Sequence, residues 1–155
     1  MFSSEELRRY NRHIILPEFG MEGQQKLKTA KVAVIGAGGL GCPVLMYLAA
    51  AGIGTLGIID GDIIEESNLQ RQVLYSQEDV GKSKATTAAA KLKKSNPYIN
   101  VIAIEERLTS DNALEILENY DIIVDGTDNF STRYLSNDAS IILNLSLIHI
   151  SEPTR

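Results

Sequence analysis

Lys31-Val32-Ala33-Val34-Ile35-Gly36-Ala37-Gly38-Gly39-Leu40-Gly41 is the stretch that decides the fold. Val32 to Ile35 is a compact apolar run with β-branched residues, bounded by glycine, and reads as a buried strand. Gly36-x-Gly38-x-x-Gly41 then turns the chain into Leu40 to Ala51, rich in Ala and Leu, which reads as a helix stopped by Gly52. Leu56 to Ile59 is a second buried strand, closed by Asp60. Strand, glycine turn, helix and strand form the repeating unit of a parallel sheet with right-handed crossovers.

The rest of the chain extends this pattern in both directions. Ser3 with Glu6 three residues on predicts a capping box opening a short helix through about Arg12. Gly20 and Gly23 bracket a turn, with a second short helix over Gln24 to Lys28. Downstream, Ser83 to Ser95 is Ala-rich with lysines at its C-terminal end, a good helix stopped by Asn96-Pro97. Val101 to Ile104 reads as a third strand, and Thr109 or Ser110 caps a helix through about Asn119. Ile122 to Val124 is a fourth strand, and Ser131 to Ile142 a final helix. The expected class is α/β: a Rossmann-like nucleotide-binding fold with a mostly parallel sheet and an N-terminal helical arm. The expected division is an arm over 1–28, the nucleotide-binding domain over 29–144 and a tail over 145–155.

Bulk properties exclude several functions. At 155 residues, 44% hydrophobic and 23% charged, the chain suits one soluble domain with a real core. A net charge of −5 argues against a nucleic-acid partner. No apolar run is long enough to span a bilayer, and the first residues lack the layout of a secretory signal, so a cytoplasmic protein without a membrane partner is expected. The lone cysteine, Cys42, rules out an internal disulfide framework.

The glycine turn fits phosphate. One glycine permits the bend, one lets backbone amides approach, and one allows the helix to pack on the strand, so Gly36, Gly38, Gly39 and Gly41 are candidate cofactor residues. The helix N-terminus adds free N–H groups. Asp60, about twenty residues beyond the turn, stands where an acid accepts from ribose hydroxyls, which leaves NAD and ATP both open. Ser67-Asn68-Leu69-Gln70-Arg71-Gln72 separates them. A hydride-transfer enzyme needs no guanidinium and amide beside phosphates, whereas attack at the α-phosphorus of ATP does. Lys84, in the first turn of its helix, is unfavourable for the dipole and so is read as placed for a ligand. Thr127-Asp128-Asn129 lies just past the fourth strand, where Asp128 can hold Mg²⁺ on phosphate oxygens. Asp125 reads as a turn or cap residue, Cys42 as a small buried side chain, and His13 as surface or interface.

Taken together, Arg8-x-Tyr10-Asn11-Arg12-x-Ile14, Gly36 to Gly41, Asp60-x-Asp62, Ser67 to Gln72, Gly81-x-x-Lys84 and Asp125-x-Thr127-Asp128-Asn129 resemble the MoeB/ThiF adenylyltransferases, bacterial relatives of ubiquitin-activating enzymes. The match runs in order from Ser3 to Asn144. The resemblance implies ATP-dependent adenylation of the C-terminal Gly-Gly carboxylate of a ubiquitin-like sulfur carrier, in molybdopterin or thiamine biosynthesis. It implies that Gly39 contacts phosphate, that Asp60 contacts ribose, and that Asn68, Arg71 and Lys84 contact the triphosphate. Asp62, Ser67, Leu69, Gln70 and Asn129 complete the implied nucleotide site, and Asp128 binds Mg²⁺. Arg12 would reach the partner subunit's active site in a homodimer. Two other classes are weighed against this: an NAD(P)-binding oxidoreductase and a non-catalytic module that binds the carrier.

The chain departs from the family at its end. Leu145 to Arg155 follows a helix without a turn signal and resembles the in-frame translation of a sequencing-library adaptor, so it is expected to be non-native, with the genuine sequence cut at about Asn144. Family members continue for about a hundred residues by resemblance, many with two Cys-x-x-Cys pairs for structural Zn²⁺, ligands this chain lacks. It is therefore expected to bind MgATP weakly, to adenylate little carrier, and to expose an unpaired sheet edge.

Overall fold

β1 (Lys31–Ile35) lies at the centre of a five-stranded, all-parallel sheet in a computed structural model that describes residues 1–150. The other strands are β2 (Thr55–Ile59), β3 (Asn100–Ile104), β4 (Ile122–Asp125) and β5 (Ser146–His149), in the order β3-β2-β1-β4-β5. In register, Val34 stands beside Ile58 on one side and Val124 on the other. Successive strand residues point to opposite faces. Val32 and Val34 therefore pack with Leu56, Ile58 and Leu45 on one face, while Ala33 and Ile35 pack with Ile59, Ile123 and Leu117 on the other. Helices α3 (Gly41–Ala51) and α4 (Lys84–Ser95) cover the first face, and α5 (Ala113–Leu117) and α6 (Phe130–Leu143) cover the second. The α/β parallel architecture expected from the sequence is present.

The chain leaves β1 toward β2 and β3, then returns across the sheet to β4. That reversal makes a switch point between β1 and β4, where a crevice opens at the carboxyl ends of the strands.

The N-terminal arm consists of α1 (Ser4–Ile14) and α2 (Gly20–Thr29). Ser3 and Glu6 form the expected capping box, and the buried Glu6 carboxylate also takes Lys28 Nζ of α2 at 2.7 Å. Tyr10 anchors the arm: its buried hydroxyl accepts from Asn96 Nδ2 at 2.8 Å, and Asn96 also donates to the Ala49 carbonyl at 2.7 Å. Arg9 Nη2 donates to Ser95 O at 2.7 Å, and Gln24 Nε2 to Ala51 O at 2.8 Å. Half-buried His13 meets Gln24 Oε1 through Nδ1 at 3.0 Å, a packing contact within the arm. All of these attachments sit at the C-terminal ends of α3 and α4, the end of the sheet opposite the crevice.

Three elements differ from expectation. α2 begins at Gly20, so Gly20 to Gly23, expected to bracket a turn, lie inside the helix. α5 starts at Ala113, because Asn112 Oδ1 accepts from Thr109 N at 2.8 Å and holds 109–112 in a turn. β5 falls within the segment expected to be a tail. Asn144 enters the left-handed region (φ 54°), Leu145 N donates to Ser140 O at 2.9 Å, and the chain reverses onto β4. Leu145 and Leu147 then face the core against α6, and β5, paired with β4, is the edge strand on that side of the sheet. Residues 151–155 of that segment lie outside the described residues. Among the described residues, no helix is long and apolar enough to cross a membrane.

Candidate functional site

The crevice is a cleft of about 1390 Å³ floored by the glycine turn. Gly36 has φ 88°, a conformation that costs little only without a Cβ. Gly41 packs against the turn so closely that a Cβ there would stand 1.8 Å from Gly36 O. Between them, Gly38 and Gly39 line the cleft.

Asp60 ties this turn to the chain leaving β2. Its Oδ2 accepts from Ala37 N at 2.8 Å and its Oδ1 from Asp62 N at 2.8 Å. Asp62 in turn faces two cations, Arg107 Nη2 at 2.7 Å and Lys84 Nζ at 3.5 Å. The Arg107 hydrogen bond, with Lys84 beside it, holds the Asp62 carboxyl below the usual carboxylate range. Lys84 is the first residue of α4, whose N-cap Ser83 accepts from Thr86 N at 3.3 Å. The Lys84 side chain is only 9% exposed and reaches the cleft wall. A cation buried at the positive end of a helix is retained here by a carboxylate partner within the cleft.

A short 3-10 turn over Glu66–Asn68 supplies the opposite wall. Asn68 and Arg71, three residues apart, both line the cleft, and the Arg71 side chain lies over Gly39, its Cγ 3.4 Å from where a Cβ would stand. Gln72 lines it too, yet is only 3% exposed; its Oε1 makes no hydrogen bond among the described residues. At the rim, Asp128 is exposed, and Asn129 caps α6 by accepting from Ser131 N at 2.8 Å. Asp125 is a structural residue, as expected: its Oδ1 accepts from Thr127 N at 2.9 Å and its Oδ2 from Ser136 Oγ at 2.8 Å.

The fold thus brings together Gly36, Gly38, Gly39, Asp60, Asp62, Asn68, Arg71, Lys84, Asp128 and Asn129. Gly41, Ser67, Leu69 and Gln70 do not line the cleft: Gly41 is covered by the turn, and of the polar cluster only Asn68, Arg71 and Gln72 reach the cleft wall. Arg12 is exposed on the arm, at the far end of the sheet. Sequence reasoning assigned no role to Gln72, Arg107 or Thr127, which also line the cleft. Gln72 closes the polar cluster that begins at Ser67 and Thr127 opens the run to Asn129, whereas Arg107 has no local signal.

Backbone amides at a helix N-terminus, a guanidinium and an ammonium around one cleft form a set of anion-stabilising groups. Cys42 supplies no nucleophile to it: the residue is fully buried, and burial pushes its thiol above the ordinary value. Among the described residues no three His, Cys, Asp or Glu side chains converge as a metal cage. A cation here would rest on Asp128 and on ligand oxygens, the manner in which Mg²⁺ is commonly held beside phosphates.

The family model described as ThiF family matches residues 10–151. A sulfur carrier protein adenylyltransferase of Thermus thermophilus is 56% identical over 147 residues, covering 95% of this chain and 54% of that protein. A probable adenylyltransferase/sulfurtransferase MoeZ of Mycobacterium tuberculosis is 56% identical over 140 residues, covering 90% of this chain and 36% of the relative. Among solved structures, the tRNA N6-threonylcarbamoyladenosine dehydratase TcdA of E. coli, in complex with ATP, superposes with a TM-score of 0.90 at 25% identity, over 96% of this chain and 61% of that one. E. coli MccB, solved with MccA, gives 0.82 at 36% identity, over 91% and 43%. The chain therefore spans between about a third and a half of the length of these curated relatives. With the glycine turn, the polar cluster and the strand order all in place, the chain belongs to the ThiF family.

Proposed function

We propose that the cleft binds ATP with Mg²⁺ and forms the nucleotide site of an enzyme that adenylates the C-terminal Gly-Gly carboxylate of a ubiquitin-like sulfur carrier. The observation that carries this reading is the convergence of Asn68, Arg71 and Lys84 on the glycine turn, in a chain 56% identical to a sulfur carrier protein adenylyltransferase. In the reaction, a carboxylate oxygen bonds to the α-phosphorus and the bond to pyrophosphate breaks. Both partners are anionic, so the groups required are positioned cations and amide donors rather than a side-chain nucleophile. Gly38 and Gly39 would present backbone N–H groups to the phosphates, while Arg71 and Lys84 would balance charge building on the departing pyrophosphate. Asp60 and Asp62 would face the nucleoside. Mg²⁺, when bound, would neutralise phosphate oxygens from the side of Asp128.

Arg12 cannot serve the cleft of its own chain from the opposite end of the sheet, which favours a homodimer in which it enters the partner's cleft. Residues 1–28 would then be a dimerisation arm and 29–144 the nucleotide domain, with the remainder of the enzyme lying in the portion its longer relatives possess. ATP–pyrophosphate exchange with a purified Gly-Gly-ended carrier tests the assignment on a full-length family protein carrying this domain. Exchange dependent on carrier and on Arg71 supports it; nicotinamide cofactor binding unaffected by Arg71→Ala would refute it.

A further inference from the structure

Tyr75 is a buried hydroxyl at the underside of the glycine turn, 6% exposed and outside the cleft lining. Its Oη donates to Ala37 O at 2.9 Å and lies 3.3 Å from the carbonyl oxygen of Lys84. The Cys42 thiol donates to the same Ala37 oxygen at 3.2 Å, while Ala37 N donates to Asp60 Oδ2 at 2.8 Å. Donors and an acceptor from three separate segments therefore hold the backbone on both sides of Ala37.

The consequence follows from peptide geometry. The Ala37–Gly38 bond is trans, so the Gly38 N–H points away from the Ala37 carbonyl. With that carbonyl drawn down to Tyr75, the Gly38 N–H is turned toward the cleft that Gly38 lines. Flipping this one peptide would put a carbonyl oxygen where the N–H stands, replacing attraction for an anion by repulsion.

We infer that Tyr75 is a positioning residue for phosphate: its hydroxyl locks the Ala37–Gly38 peptide with the N–H facing the cleft. The inference rests on the reading of the cleft as a polyphosphate site. Burial keeps the phenol protonated far above neutral pH, so the donor is permanent. Neither Gln72 nor Arg71 can replace it, because both approach the turn from the cleft side.

The test uses the full 155-residue chain and three probes, tripolyphosphate, MgATP and adenosine, measured by calorimetry on wild type and Tyr75→Phe. One buried hydrogen bond is lost, so tripolyphosphate and MgATP should weaken about two- to tenfold while adenosine is unchanged. A purely structural role would weaken all three probes alike or none, and either result overturns the inference. Should Tyr75→Phe fail to fold, amide NMR of the wild type decides: tripolyphosphate should shift the Gly38 resonance strongly. A silent Gly38 beside a responding Lys84 overturns the inference alone. A wild type that binds neither tripolyphosphate nor MgATP overturns both the inference and the proposed function.

Discussion

The α-carbon of Gly41 lies so close to the carbonyl of Gly36 that a Cβ at position 41 would stand 1.8 Å from that oxygen. The contact is backbone against backbone, so no side chain can move aside to relieve it. Gly41→Ala should therefore displace α3 from β1 and destabilise the fold by about 1–3 kcal/mol, as overpacking does. Chemical denaturation measures this. Gly38→Ala, whose φ is not positive and whose added carbon would meet only Gln72 Nε2 at an ordinary 3.6 Å, is the control and should cost less.

Lys84 is the cation most committed to the cleft. Among the described residues its only ion pair is with Asp62, at 3.5 Å, leaving the ammonium available to a more highly charged ligand. Lys84→Met keeps the aliphatic packing and removes the charge. MgATP affinity should fall at least tenfold, with adenosine affinity little changed, in titration calorimetry. Unfolding stability should stay level or rise, because a buried charge is removed along with a long, weak pairing.

Asp79 locks the loop before α4. It is buried, accepts from Ser76 N and Oγ at 2.9 and 2.8 Å, and pairs with Lys91 on α4. The Lys91 hydrogen bond holds its carboxyl far below the ordinary carboxylate value. A carboxyl depressed in the folded state adds stability that is complete above the unfolded value, about pH 4, and is lost as pH falls below it toward the folded value. Wild type should therefore lose stability steeply below about pH 4. Asp79→Asn should be less stable at pH 7, by about 1–3 kcal/mol, and show a shallower acid slope. Urea midpoints at stepped pH provide the comparison.

Asn96 ties the arm to the body through Tyr10 and Ala49. Asn96→Ala leaves the buried Tyr10 hydroxyl and Ala49 carbonyl without this donor, at a cost of about 1–3 kcal/mol. The loss should be local first: hydrogen exchange should quicken in α1 and α2 before it does in β1 or β2. Uniform quickening across the sheet would argue against an arm that opens on its own.

Local chemistry explains what could be read from the chain. Ser3 with Glu6, Gly52 after an Ala-rich run, and Ser83 before Lys84 each signal a helix end through their own side chain or its absence, and each stands where expected. Within Ser67 to Gln72, by contrast, residue type alone puts Asn68, Gln70 and Arg71 forward alike. Only the folded backbone decides that Asn68 and Arg71 line the cleft and Gln70 does not. Arg107 comes from the β3–α5 loop, forty-five positions from its partner Asp62, and no local pattern announces such a pairing. α5 starts later than a cap at Thr109 or Ser110 predicts, because the Asn112 side chain accepts from Thr109 N and closes a turn there instead. β5 has no turn signal before it, because its reversal depends on Asn144 in a left-handed conformation, with no glycine to mark it.

α4 has one end in the chemistry and the other in the arm. Its first residue is Lys84, its last is Ser95, and Asn96 follows directly. Twelve residues of helix make a strut of about 18 Å, nearly incompressible along its axis. Arg9 and Tyr10 therefore fasten the arm to the same rod that carries the cleft's ammonium, so a single helix spans the sheet from its arm end to its cleft end.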